Sequence, residues 1–410
     1  MQNQTIENRS VPLYDFHMWI KREIKENLRK IASQRPVVLI TGSRQTGKTS
    51  ILCRTFPQYR YVSLDLPHVA EEAEYAGEGF LQRYPPPVIF DEIQYAPRLF
   101  RYIKHAVDQQ RSNNGQYLLT GSQQFGLMQG ITESLAGRIA VLQCMPLSSR
   151  ELARARRKTW GRTDLLWQVA TGSYPEIHAS ELDPYRFYAD YVATYLQRDL
   201  RQISAIKNLR AFNTFMRLCA VRCSQLFSHT RLASEVGVSV STIRSWVSAL
   251  EASHLIYLLR PYHGNLGKRF VQSPKLYFCD TGLACFLAGI HSVNELQDSP
   301  LLGCMFETHV FNQIVCHLVN QGRVPQVYFY RDYQGHEVDF VVPMGNKLAL
   351  LECKTASIPK MTSGLHTLTQ LLDKKKSAVR AIITPQRSHR PLPDHSGVMV
   401  DNCVDLHALQ

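Results

Sequence analysis

Several things are scarce in this 410-residue sequence, and each scarcity narrows the reading. No run approaches the ~18 consecutive apolar residues of a membrane-spanning helix, so no membrane partner is expected. The ten cysteines include no CxxC pair, and the nearest two, Cys219 and Cys223, fall in a helical-looking stretch. No His/Cys set has zinc-binding spacing. Neither a structural zinc nor a disulfide framework is therefore expected, and the thiols read as small buried hydrophobes of a reducing compartment. The first residues, MQNQTIENRSVPLYDF, lack the charged-then-apolar plan of a signal peptide, which makes a cytoplasmic location the expectation. Tandem repeats and low-complexity tracts are absent as well, which argues against a solenoid.

What is present points to a multidomain protein. The length exceeds one hydrophobic core, and two to four domains are expected. Lys and Arg number 47 against 34 Asp and Glu, for a net charge of +13 and a pI near 9.3. Two readings of that excess stand side by side: a polyanionic partner, nucleic acid ahead of membrane, or a merely basic soluble protein. YPPPVIF (84–90) punctuates the first region, MPLSSREL (145–152) marks the exit from its sheet, and GIHSVNELQDSPLLG (289–303) reads as a boundary. The expected divisions are 1–150, 151–225, 226–290 and 291–410.

The first region alternates strand and helix. RPVVLIT (35–41), YRYVSLDL (59–66), PPVIFDE (86–92), QYLLTGS (116–122) and RIAVLQ (138–143) read as five strands of a parallel α/β sheet covered on both faces. Between the first strand and its helix lies GSRQTGKT: Gly42, Ser43, Arg44, Gln45, Thr46, Gly47, Lys48 and Thr49, a match to GxxxxGK[ST]. The glycines let the backbone wrap a phosphate, and the helix N-terminus adds a favourable dipole. Lys48 would reach the β- and γ-phosphates of ATP, and the Thr49 hydroxyl would ligate Mg²⁺.

Asp91 and Glu92 end the third strand. A carboxylate there would hold Mg²⁺ through water, and Glu92 would polarise the attacking water. Thr120 and Ser122, at the end of the fourth strand, are both candidates for sensing the γ-phosphate. Arg138 opens the fifth strand and is a candidate for stabilising transition-state charge, with Arg198 in YLQRDL as its rival.

Residues 146–225 read as helical. Within RLASEVGVSVSTIRSWVSALEASHLIYLLRPY (231–262), Ala233, Gly237 and Ile243 have the spacing of a helix-turn-helix. A strand follows, then HGNLGKR as a wing tip carrying Lys268 and Arg269. The outward face of the second helix offers Ser241, Thr242, Arg244, Ser245 and Ser248. Arg244, Lys268 and Arg269 are the candidate DNA contacts. A single formal charge on that face is thin for reading DNA, and a winged helix used for protein packing is an equal reading.

At this point the chain resembles a family: the bacterial and archaeal AAA-like ATPases that carry a C-terminal domain of unknown function. The resemblance rests on VVLITGSRQTGKTSIL, YVSLDLP, VIFDEIQYAPRLF, YLLTGSQQF, ESLAGRIAVLQCMPLSSREL, GSYPE, YLQRDL, PKLYFCDTGLACFLAG, GCMFETHV and HEVDFVV, and it spans residues 15–360. It implies an ATPase module, a winged-helix element and a tail resembling the PD-(D/E)XK nuclease fold. Ring assembly is common in such ATPases, so a homo-oligomer is a further expectation.

That tail reads as helix (304–319), strands (326–333, 336–342 and KLALLECK), helix and strand. The first helix, with Glu307, reads as amphipathic. Asp339 and Glu352 fall on neighbouring antiparallel strands, where both could converge on one Mg²⁺. Lys354 shares the face of Glu352 and would activate water or steady a phosphate. Glu307 would complete the cluster, with Glu337 as an alternate ligand. The competing reading is a carboxylate–lysine network that only stabilises a sheet. The expectation is an ATP-hydrolysing, Mg²⁺-dependent protein acting on DNA through a nuclease-like tail. The alternative is a nucleotide-gated binding or regulatory protein whose tail is a scaffold.

Overall fold

The computed structural model describes residues 19–122, 134–180, 182–196, 208–262, 272–356, 359–360, 362–372, 378–386, 388–393 and 397–409. Arg198, Lys268 and Arg269 lie outside these residues. The chain falls into two compact units, Met1–Cys144 and Met145–Gln410.

The first unit is built on a five-stranded parallel sheet. Helix α1 (Ile24–Ala32) leads into β1 (Val37–Thr41), followed by α2 (Lys48–Thr55), β2 (Arg60–Ser63), β3 (Val88–Asp91), α3 (Leu99–Gln109), β4 (Tyr117–Thr120) and β5 (Ile139–Gln143). The strand order is β2-β3-β4-β1-β5, and every pairing is parallel. All five strands read from the sequence are present. The run VVLIT is buried at each position of β1, as a strand covered on both faces must be. Val37, Leu39, Phe90 and Leu119 pack with Phe100, Ile103 and Val107 of α3 on one face. Because all strands run the same way, the loops after β1, β3 and β4 emerge at one edge. That edge carries the phosphate-loop motif, Asp91-Glu92 and Ser122.

The second unit begins with α4 (Ser149–Ala155), capped by Ser148 and Glu151, and α5 (Arg162–Thr171). Then come α6 (Leu209–Val221), α7 (His229–Val236), α8 (Val240–Ala252), β6 (Ile256–Leu259) and β7 (Lys275–Phe278). Gly237, left-handed at φ 75°, turns α7 into α8, and Ser239 caps α8 by accepting from the Thr242 amide. β6 and β7 pair antiparallel. Helix α9 (Thr281–Ala288) and the long α10 (Leu302–Asn320) lead to β8 (Tyr328–Arg331), β9 (Glu337–Met344), β10 (Lys347–Cys353), α11 (Ser363–Leu372), β11 (Ala378–Thr384), β12 (Arg390–Pro391) and β13 (Met399–Asn402). Their sheet has the order β12-β13-β11-β10-β9-β8. The helix, three strands, helix and strand read from the sequence are all there. β12 and β13 extend the sheet beyond that reading.

One expectation is corrected. Helix α10 is not amphipathic in use: it is buried nearly all round, polar Thr308, His309, Asn312 and Gln313 included. Those side chains are tolerated because each finds a partner inside the unit. Gln313 accepts from the Ser149 amide at 2.7 Å, His309 Nε2 lies 3.0 Å from the Ser149 hydroxyl, and Ser149 Oγ donates to Gln168 at 2.7 Å. Asn312 donates to the Phe278 carbonyl at 3.1 Å. The ten cysteines are free, and eight are buried. Among the described residues, no helix is long and apolar enough to cross a membrane.

Candidate functional site

The loop between β1 and α2 is shaped by its glycines. Gly42 has φ 143°, and a Cβ there would run into the Cys144 carbonyl. Gly47, left-handed at φ 87°, precedes the first turn of α2. Thr46 Oγ1 donates to the Ser43 carbonyl at 3.0 Å. The buried Arg22 braces the loop from outside, donating to the Thr46 carbonyl at 2.8 Å and to Cys144 Sγ at 3.7 Å. Lys48 Nζ is curled into the loop, donating to the carbonyls of Ser43 at 2.8 Å and Gly42 at 3.1 Å. Burial holds its pKa below the ordinary lysine value, against the opposing pull of Glu92, Cys144 and Asp91. Arg44 Nη2 donates to the Tyr95 hydroxyl at 3.5 Å, and Gln45 has φ 62°.

Asp91 is nearly buried at the end of β3 and gathers three hydroxyls. Thr49 and Thr120 donate to Oδ1 at 2.7 and 2.5 Å, and Tyr61 donates to Oδ2 at 2.9 Å. Burial raises the Asp91 pKa, and these hydroxyls pull it down. Glu92 follows in the left-handed region at φ 56°, unusual for a glutamate and a common mark of functional turns. Its amide donates to Thr120 Oγ1 at 3.0 Å. Its carboxylate is held by the Gln94 amide and by Ser122 Oγ at 3.4 Å. Of the two sensing candidates, Thr120 is thus committed to Asp91, and Ser122 stands with Glu92. The Thr49 hydroxyl beside the Asp91 carboxylate is an all-oxygen donor pair, which fits Mg²⁺.

Arg138 requires a correction. It sits just before β5, at the N-terminal edge of the parallel sheet, opposite to the edge that carries the loop. Its guanidinium is spent on Asp108 at 2.5 and 3.0 Å and on the Ala136 carbonyl. It is not brought to the loop of its own chain. Sequence reasoning missed Arg22, Tyr61 and Gln94. Tyr61 has a readable signal: alternation along β2 puts it on one face with Ser63, which pairs with Asp91. Arg22 has none, since it acts across 24 residues.

In the second unit, the carboxylates read from the sequence do come together. Leu351 pairs with Phe340 across β9 and β10, which makes Asp339 and Glu352 neighbours one step further on. Asp339 Oδ2 accepts from the Cys353 amide at 2.8 Å. Glu352, buried, accepts from Thr362 and lies 3.4 Å from Lys354 Nζ. Glu307 projects from α10 to the same place. A residue absent from the sequence reading sits among them. Lys275, at the start of β7 and only 3% exposed in its side chain, pairs with Glu307 at 3.0 Å, with Glu337, and with Asp339 at 3.9 Å. Tyr277 donates to Glu307 at 2.6 Å, and Arg331 pairs with Glu337 at 2.7 Å. Burial opposes the charge on Lys275, but Glu307, Asp339 and Glu337 outweigh it and raise its pKa. Burial likewise raises Asp339 and Glu352, which Lys275 and Thr362 respectively offset. An ammonium therefore stands where Glu307, Glu337 and Asp339 converge. Of the two residues read as metal ligands, Lys275 pairs with Asp339 alone, at 3.9 Å, while Glu352 is held by Thr362 and Lys354.

On α8, Arg244, Ser241, Ser245 and Ser248 are exposed, while Thr242 Oγ1 is tied to Ser239 at 2.8 Å.

The loop, its lysine and the Asp91-Glu92 pair at one edge of a parallel sheet have the arrangement of a P-loop site. Comparison with known families agrees: residues 34–153 match the family described as "AAA domain". Residues 162–294 and 302–402 match two domains of unknown function, DUF8612 and DUF4143. An AAA domain and a C-terminal DUF4143 domain are thus joined in one chain. Uncharacterized proteins of Mycobacterium bovis and Mycobacterium tuberculosis are each 29% identical over 385 residues, 91% of this chain and 82% of theirs. A Walker-type ATPase of Pyrococcus abyssi is similar in structure at TM-score 0.45 and 14% identity, over 66% of this chain and 96% of that one. The RuvB Holliday junction branch migration motor of Thermotoga maritima gives 0.31 and 15%, over 61% and 93%.

Proposed function

We propose that the protein binds and hydrolyses ATP with Mg²⁺ and acts on DNA. The observation that carries the hydrolytic reading is the set Thr49–Asp91–Thr120 with Glu92 beside it, at the mouth of the loop. Lys48 would exchange the carbonyls of Gly42 and Ser43 for the β- and γ-phosphates. Thr49 and Asp91 would hold Mg²⁺, which neutralises charge on the phosphates when bound. Glu92, fixed by Gln94 and Ser122, would polarise the attacking water. Ser122 would report the γ-phosphate to Glu92.

The DNA reading is supported by the net charge of +13 and by α7 and α8, which we read with β6 and β7 as a winged helix, Arg244 facing out. We read 226–290 as that domain and 291–410 as a nuclease-like domain in a cytoplasmic protein. Lys275 favours the second reading of that tail: a nucleotide-gated binding or regulatory protein whose nuclease-like fold serves as a scaffold. The test is incubation of purified protein with duplex, branched and single-stranded DNA and Mg²⁺ or Mn²⁺, with Asp339→Ala alongside. Salt-sensitive binding without cleavage is expected. Cleavage abolished by Asp339→Ala would restore the nuclease, and loss of all DNA binding would indicate a protein partner.

A further inference from the structure

The far edge of the second unit's sheet gathers three ligand-type side chains that no spacing rule connects. Asp401 lies on β13, His389 immediately precedes β12, and His407 opens the short helical turn His407–Leu409. Their ligand atoms all lie within 4.8 Å of one another. The two imidazoles meet at right angles, with ring centroids 4.3 Å apart. Asp401 is fully buried, while the His389 side chain is half exposed. The carboxylate is pinned from behind: Oδ1 accepts from the Asn402 amide at 2.8 Å and Oδ2 from the Ala408 amide at 2.9 Å. Each oxygen keeps a lone pair for a further partner.

The spacing separates this cluster from an ordinary hydrogen-bonded pair. His389 Nδ1 stands 3.7 Å from Asp401 Oδ1, beyond hydrogen-bond range. Two ligands of one tetrahedral Zn²⁺, with bonds near 2.1 Å, stand roughly 3.4 Å apart. Amides that hold a carboxylate from behind are the usual support of a metal ligand. Two imidazole nitrogens and one carboxylate oxygen suit a borderline cation such as Zn²⁺, whereas Mg²⁺ and Ca²⁺ prefer an all-oxygen set.

We propose that His389, Asp401 and His407 form a Zn²⁺ site, with a fourth position open to water on the exposed side of His389. The bound ion ties β13, the approach to β12 and the final turn together. It is distinct from the Lys275 cluster, since β11 lies between β13 and β10. The ligands come from three segments of an edge hairpin and turn, which is why no CxxC or HxxxH spacing announced them.

The test uses the full chain, stripped with a chelator and titrated with Zn²⁺ by calorimetry, then with Co²⁺ by visible absorption. One equivalent of Zn²⁺ is expected, with intense tetrahedral Co²⁺ bands and a melting temperature raised by roughly 5 °C at saturation. His389→Gln, at a half-exposed position, and His407→Gln should each weaken binding by ~30-fold or more and erase the thermal shift. No binding by folded wild-type protein would overturn the proposal. So would an equivalent that survives in the double variant, which would place Zn²⁺ at cysteines or at the other carboxylates. Variants that melt lower by the same amount with and without Zn²⁺ would reduce the histidines to packing and also overturn it.

Discussion

Two buried lysines, Lys48 in the first unit and Lys275 in the second, answer burial in opposite ways. Lys48 is held by two backbone carbonyls, neutral acceptors that leave its charge under-compensated, and its pKa falls. Lys275 is surrounded by Glu307, Glu337 and Asp339, and its pKa rises. An ammonium paired only with dipoles gains when an anion arrives. One already neutralised by carboxylates loses if it moves. The first lysine is poised for a ligand, and the second acts as one.

Replacing each lysine breaks the comparison most sharply. Lys48→Ala should weaken ATP binding roughly a thousand-fold, from two lost charge-assisted bonds of about 1.5–3 kcal/mol each, while leaving the fold intact. Calorimetry with ATP and Mg²⁺ reads this. Glu92→Gln should keep binding and slow hydrolysis by ~100-fold or more, measured as phosphate release. Normal turnover would remove Glu92 from its role. Lys275→Met should cost about 3–5 kcal/mol of stability by stranding buried carboxylates, seen in denaturant melts. The same variant should gain Mn²⁺ binding at this cluster over the parent chain, since the place of the ammonium is then open.

A graded effect concerns acid. Burial pushes His309 down to about 3 and His178 down to about 4. Both titrate near 6.5 when unfolded, so the unfolded chain binds more protons in between. The stability they leave intact above pH 6.5 should fall by about 1.4 kcal/mol per pH unit for each histidine as pH drops toward 4. His309→Gln should flatten that slope in melts between pH 7 and 4.5. The least effect is expected from Arg138→Ala, which should leave turnover within about twofold because the guanidinium faces Asp108 and an exposed ion pair contributes little.

Much of the first site was legible because its information is local. Gly42 to Thr49 are contiguous, and the apolar runs place Asp91 and Ser122 at strand ends on one sheet edge. Arg138 misled because its strand was read correctly but its end was not: parallel order puts the start of β5 on the opposite edge from the loop. In the second unit, alternation along β9 and β10 sufficed to align Asp339 with Glu352. Lys275 was invisible for a physical reason. It arrives from a strand 32 residues before Glu307, and a lysine at a strand end ordinarily faces water. The burial of α10 was hidden in the same way, because His309, Asn312 and Gln313 are satisfied by distant partners.

The Ser149 network has a consequence for biosynthesis. Its amide is completed by Gln313, 164 residues downstream. The first unit carries all its strands before Cys144 and is ready to fold as soon as it clears the ribosome. The second must wait while those 164 residues are added, on the order of ten to thirty seconds at 5–20 residues per second. During that interval the Ser149 amide and hydroxyl await Gln313 and His309 of the arriving α10, a stage at which a nascent-chain chaperone would have a surface to shield.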